Sequence, residues 1–227
     1  MRILPILFSS PMVSAILEGR KTQTRRVIKK RYSNTDIQWK KDKYGTRLVE
    51  RQNDVPPPVK NPDESTTYNV VAFSELRPTY SKGDILWVRE SFLICNENEF
   101  LQGMNSRFVF KASIHPDWFN ALKEAHPSYK WIPSIHMPKA ACRIFLKVTN
   151  VKAERLHDIS GFDATCEGIL PKGDYYKSYT DNVLYADPQS SFFSLWESIN
   201  GAESLLSNPW VWVYSFERCE MPKNFLS

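Results

Sequence analysis

The stretch Ile16-Leu17-Glu18-Gly19-Arg20-Lys21-Thr22-Gln23-Thr24-Arg25-Arg26-Val27 carries a helix end, a turn and a strand start in immediate succession. Upstream of it, Met12, Val13, Ile16 and Leu17 recur at helical spacing. Ser10-Pro11 reads as an N-cap followed by proline at the first helical position. Gly19 is the residue a helix end takes for its left-handed C′ position. Beyond it, β-branched Thr22, Thr24 and Val27 favour extended chain, and a strand is expected over 22–28. The apolar run 3–8 ahead of the helix reads as a buried strand.

Positions 20–31 hold Arg20, Lys21, Arg25, Arg26, Lys29, Lys30 and Arg31 with no acid among them. A run of this kind is either a solvated basic face or a phosphate-binding stretch. The net charge of +5 is compatible with a nucleic-acid partner.

Lys82-Gly83-Asp84 is a turn signal that opens an expected strand over 85–92. Residues 141–151 make the strongest strand, with Ile144, Leu146 and Val148 alternating with Arg143, Phe145 and Lys147. Ser160 then caps an expected helix through Glu167 that stops at Gly168. A short helix is expected over 192–199, and Pro209 introduces a last strand over 210–216. After Cys219 the tail is polar and expected to fray. Residues 29–78 are weakly patterned, with Pro56-Pro57-Pro58 and Pro62, a hairpin near 37–49 and an edge strand at 70–73. A strand at 108–111, a helix over 117–125 and irregular loops at 131–138 and 170–190 complete the reading. Many strands, few helices and long loops point to an α+β fold around a small closed β-barrel.

With 227 residues the chain can bury a proper core. Cys95, Cys142, Cys166 and Cys219 lack C-x-x-C spacing, and His115, His126, His136 and His157 are scattered, so no metal and no cofactor is expected. Pro5 interrupts the only N-terminal apolar run, and no run reaches the roughly 18 residues of a membrane span. A cytoplasmic protein with reduced thiols and no membrane partner is expected. There is no repeat and no glycine-rich phosphate loop.

Four ordered pieces resemble the ASCH family, of the PUA-like superfamily. They are residues 16–24 with Arg26; Lys82-Gly83-Asp84-Ile85-Leu86-Trp87-Val88; the strand from Arg143 with Leu156-His157-Asp158-Ile159-Ser160, Asp163-Ala164 and Glu167-Gly168; and the aromatic strand 209–216. Together they cover about half of the chain, and the likeness is greatest to the longer, loop-rich ASCH proteins of phages and prophages. The resemblance implies one PUA-like domain over 1–220, with flanking helices, insertions near 32–78, 93–138 and 170–207, and a tail at 221–227. It also implies a partner, RNA or a modified nucleoside, because small bacterial ASCH proteins include amidohydrolases that deacetylate N4-acetylcytidine. Their lysine, threonine and glutamate fall here on Lys21, Thr24 and Glu167, the implied catalytic residues. Arg20, Arg26, Trp87 and Arg89 are the candidates for holding substrate or RNA.

Amide hydrolysis needs a nucleophile, a base and oxyanion stabilisation. Thr24 offers a hydroxyl. Lys21 is a base only when uncharged, which requires a pKa well below about 10.4; charged, it suits the oxyanion. Glu167 either orients the lysine or returns a proton to the leaving amine. On a regular strand Lys21 and Thr24 face opposite sides, so a turn or bulge between them is required. Three functions remain open on sequence: an amidohydrolase of N-acylated cytosine, a non-catalytic RNA-binding module, and a phage interaction protein. Substrate and oligomeric state are open as well.

Overall fold

The computed structural model describes residues 1–43, 45–53, 59–60, 66–67, 73–94, 108–125 and 127–226. In chain order, β1 (Ile3–Leu7), α1 (Ser10–Leu17) and β2 (Gln23–Val27) precede β3 (Thr35–Asp42) and β4 (Gly45–Gln52). The two-residue strands β5 (Val59–Lys60) and β6 (Thr66–Thr67) come next, then β7 (Phe73–Glu75), β8 (Ile85–Arg89), β9 (Phe92–Ile94) and β10 (Phe108–Phe110). They are followed by α2 (Pro116–Ala125), β11 (Phe145–Arg155) and α3 (Gly161–Cys166). Short strands β12 (Pro171–Lys172), β13 (Tyr175–Lys177) and β14 (Leu184–Tyr185) lead to α4 (Pro188–Asn200), α5 (Ala202–Leu206) and β15 (Trp210–Cys219).

The architecture is mixed α+β. Its main sheet has the order β1-β8-β11-β15-β2. β1 and β8 run parallel, which the intervening chain allows, and the remaining pairs are antiparallel. The three strands with the strongest sequence patterns, β8, β11 and β15, lie side by side at its centre. Among the described residues the strand ladders leave β1 and β2 as edges. A side chain joins those edges: Arg26 Nη2 donates to the Leu7 carbonyl at 3.0 Å.

Alternation along the strands divides the apolar residues between two faces. On one face Ile6, Phe8, Leu86, Val88, Leu146, Val148 and Phe216 bury Val13 and Ile16 of α1. On the other, Val211 and Val213 of β15 pack with Ile159 and Ala164 of the α3 region and with Phe192 and Trp196 of α4. At about 25 cal/mol per Å², each such side chain contributes roughly 1.5–3 kcal/mol. The hairpin β3–β4 covers Trp210 and Trp212 through Ile37 and Leu48. No helix is long and apolar enough to cross a membrane among the described residues.

Several local expectations change. Ser9, not Ser10, is the N-cap of α1, and it makes no side-chain capping bond. The strand expected at 141–151 starts at Phe145, after a 3-10 turn at Lys139–Ala141, and runs to Arg155. Residues 170–190 are not a bare loop, because they contain the sheet β12-β13-β14. α4 starts at Pro188, where the Asp187 carboxylate accepts from Ser190 N at 2.7 Å. The tail does not fray: Phe225 is buried against Trp87 and Phe145, which reward its ordering. The proline cluster 56–58, Pro62 and most of the strand expected at 70–73 lie outside the described residues, although Phe73 opens β7.

Candidate functional site

The site begins where α1 ends. Glu18 closes the helix and Gly19 turns the chain at φ +79°, a conformation that costs glycine nothing. Lys21 N then donates to Ala15 O at 3.0 Å and Thr22 N to Cys166 O at 2.8 Å. Residues 19–22 are thus pinned between the ends of α1 and α3, and β2 starts only at Gln23. This irregular stretch removes the opposite-face objection to Lys21 and Thr24. Lys21 pairs with Glu167 as an isolated antiparallel bridge. Gly168 follows at φ +87°, and a Cβ there would stand 2.8 Å from Lys21 Cβ and 2.9 Å from Ala15 Cβ. Only glycine permits the close approach.

Lys21 Nζ donates to Glu167 Oε2 at 2.7 Å and to Glu167 O at 2.8 Å, with its side chain wholly buried. The other carboxylate oxygen, Oε1, accepts from Arg25 Nη1 at 3.0 Å. Arg25 continues the chain through Nε and Nη2 to Glu154 Oε1, at 3.0 and 2.7 Å. Lys152 Nζ lies 2.9 Å from Glu154 and 3.1 Å from Asp163, and Gln23 donates to Asp163 at 2.9 Å. Lys21, Arg25 and Lys152 thus balance Glu167, Glu154 and Asp163. Burial lowers the Lys21 pKa; Glu167 opposes this, while Arg26 and Arg25 reinforce it. The ammonium is therefore easier to deprotonate than a free lysine.

Thr24 sits on β2 opposite Tyr214 and is buried. It lines a cavity of about 80 Å³ together with Glu167, Arg25, Arg26, Met12 and the α4 residues Phe192, Leu195, Trp196 and Ile199. A larger cleft of about 440 Å³ shares Met12, Glu167, Leu195 and Ile199 with it and adds Arg20, Lys177 and Tyr179. Glu167 stands in the walls of both.

The three implied catalytic residues are thus gathered in one region, in an order the sequence did not reveal. Thr24 and Glu167 face the cavity, and Lys21 sits behind Glu167. Arg20 borders the larger cleft, held by the Gly168 carbonyl at 2.7 Å. Arg26 borders the smaller cavity, with its guanidinium 5.5 Å from the Phe8 ring centroid. Trp87 and Arg89 do not join them. Alternation along β8 sends Leu86 and Val88 to the α1 core and turns Trp87 to the opposite face, against Phe225. Arg89 stacks over Trp87 at 5.3 Å and donates to the Ile135 carbonyl. That pair belongs to a packed corner, not to a base-stacking platform.

Sequence reasoning missed Arg25, Glu154 and Asp163 as members of the site. Arg25 was one cation in a basic run, and only its period-two placement with Gln23 hinted at a shared inner face. Among the described residues no group of three or more His, Cys, Asp or Glu is arranged to hold a metal ion. The arrangement offers a hydroxyl, a carboxylate backed by a buried amine, and two guanidinium groups around one small space. No family model, no curated protein and no solved structure matches the chain.

Proposed function

We propose that the chain is an ASCH-family protein of PUA-like fold that hydrolyses the N-acyl amide of N4-acetylcytidine or a related acylated cytosine. The observation that carries this reading is the Lys21–Glu167 contact at 2.7 Å, with Glu167 and Thr24 lining one cavity in front of it. These are the residue types that the resemblance assigns to catalysis. The strand order and the Arg26 link between the sheet edges support a curled, barrel-like sheet. The two spaces also suit the substrate. A cleft of about 440 Å³ falls in the size range of small-molecule sites, and the cavity of about 80 Å³ suits a small acyl group.

In this mechanism Thr24 Oγ1 attacks the acyl carbon and its proton passes to the Lys21–Glu167 pair, of which Glu167 is the member that reaches the cavity. Arg26 stabilises the oxyanion. The C–N bond breaks, the cytosine amine takes the proton, and water then cleaves the threonine ester to release the carboxylate. Incubation with N4-acetylcytidine should yield cytidine and acetate in equal amounts. No product from any acylated cytosine at high protein concentration would reject the reading.

The complete burial of Lys21 favours a second reading, in which the charge network is structural and the same cleft only binds RNA or a modified base. On that reading acylated nucleoside binds without turnover.

A further inference from the structure

A separate pocket of about 350 Å³ opens at the far end of β2. Lys29, Arg31 and Arg77 line it together with Trp212 and Val27, and among the described residues no carboxylate does. Lys29, Arg31 and Arg77 are exposed, and Trp212 is half-buried. Arg77 has one carboxylate nearby, Glu75 at 3.1 Å, in a solvent-exposed pair of little strength. Val27 also lines the cavity that holds Thr24 and Glu167, so the two sites are strung along one strand. Lys29 follows Thr24 by five residues, about 16 Å of extended chain. That separation exceeds the length of one nucleoside monophosphate and suits the next nucleotide.

We propose that the Lys29, Arg31, Arg77 and Trp212 pocket holds the phosphate and base of a nucleotide flanking the acylated cytosine, so that the substrate is single-stranded nucleic acid. This rests on the hydrolase reading of the Thr24 cavity. The physical division of labour is the usual one for single strands: cations track the backbone, and an aromatic face stacks a base of any identity.

The test uses the full-length protein, a fluorescent single-stranded RNA of about eight nucleotides carrying one N4-acetylcytidine, the free nucleoside and its 5′-monophosphate. Anisotropy reports binding, and release of acetate reports turnover. The Lys29→Ala/Arg31→Ala/Arg77→Ala variant should bind the RNA at least about tenfold more weakly. The slope of log affinity against log salt should shrink by about 0.7, the value for the one phosphate that the pocket neutralises. Free-nucleoside turnover should stay at the wild-type level, because none of the three residues lines the Thr24 cavity. Trp212→Phe should retain RNA binding, whereas Trp212→Leu should lose about tenfold. Turnover of the RNA should exceed that of the monophosphate in the wild type only. RNA affinity unchanged in the triple variant, or equal turnover of RNA and monophosphate in the wild type, would overturn the proposal while leaving the hydrolase reading intact. Binding lost in the triple variant without turnover of any substrate would support the pocket and reject the hydrolase reading.

Discussion

Lys21 Nζ lies 2.7 Å from Glu167 Oε2, between two residues 146 positions apart whose backbones also pair. This contact ties the end of α1 to the end of α3, and it places an amine inside the protein. Desolvating an ammonium costs several kcal/mol, which the two Glu167 oxygens facing Lys21 offset only in part. The remainder appears as a lowered Lys21 pKa.

That direction predicts a pH profile. Activity that needs uncharged Lys21 should rise with pH, with a midpoint below 10.5, the ordinary lysine value. Glu167 raises the Lys21 pKa, so Glu167→Gln should move the midpoint to lower pH and reduce the maximum rate. Stability carries the same sign. A lysine with a depressed folded-state pKa penalises folding at low pH, and the penalty fades as pH rises from the folded towards the unfolded value. pH–rate curves and denaturant titrations of both proteins check this. A midpoint that rises in Glu167→Gln would contradict the account.

Gly168→Ala should destabilise the protein and damage the site together. Its Cβ would meet Lys21 and Ala15 under 3 Å, at a φ of +87° that L-residues rarely adopt. Strain and overpacking together predict a loss of about 2–4 kcal/mol, read by thermal or chemical unfolding. Gly173→Ala, also at positive φ but with open space around it, should lose about 1 kcal/mol.

The charge network should be steeply graded by burial. Arg25→Met strands Glu154 and Glu167 without their shared guanidinium, and removing one partner of a buried pair costs about 3–5 kcal/mol. Lys152 touches Glu154 and Asp163 at similar distances but is 42% exposed. Lys152→Ala should therefore cost under about 1 kcal/mol. Equal losses in chemical denaturation would show that burial does not set the strength of these contacts.

The C-terminal segment is structural. Phe225 packs edge-on against Phe145 at 4.8 Å between centroids and against Trp87 at 5.8 Å. Phe225→Ala should destabilise by about 3 kcal/mol, whereas Met221→Ala, exposed, should be close to neutral. A fully stable Phe225→Ala variant would restore the frayed tail.

These sites show how far the sequence could be read. The sheet centre was legible because β8 and β15 carry continuous apolar runs and β11 carries apolar alternation, and the α1 end because Gly19 marks it. Lys21, Thr24 and Glu167 were named through resemblance, and Ser160, whose hydroxyl accepts from Asp163 N at 3.0 Å, through capping chemistry. The order of the site was not legible. That Lys21 lies behind Glu167 depends on tertiary pairing across the chain, which local pattern does not encode. Arg25 reads only as one cation of a basic run, because a buried arginine is recognised by its partners, Glu154, Asp163 and Glu167, all far away in sequence. Trp87 reads as a candidate for holding substrate or RNA because its cover, Phe225, lies in a tail with no apolar periodicity. Likewise 170–207 read as insertion, yet Phe192 and Trp196 complete the core behind β15.

If Lys21, Thr24 and Glu167 form one hydrolytic site, as proposed, turnover of N4-acetylcytidine by folded Thr24 and Lys21 variants must show it. Thr24→Ser keeps a hydroxyl and should retain measurable activity, whereas Thr24→Ala and Lys21→Ala should each fall by about a hundred- to ten-thousand-fold, the usual range for a lost acid–base or nucleophilic partner. Circular dichroism and unfolding curves establish that each variant is folded. Wild-type-like turnover in folded Lys21→Ala or Thr24→Ala would contradict the account.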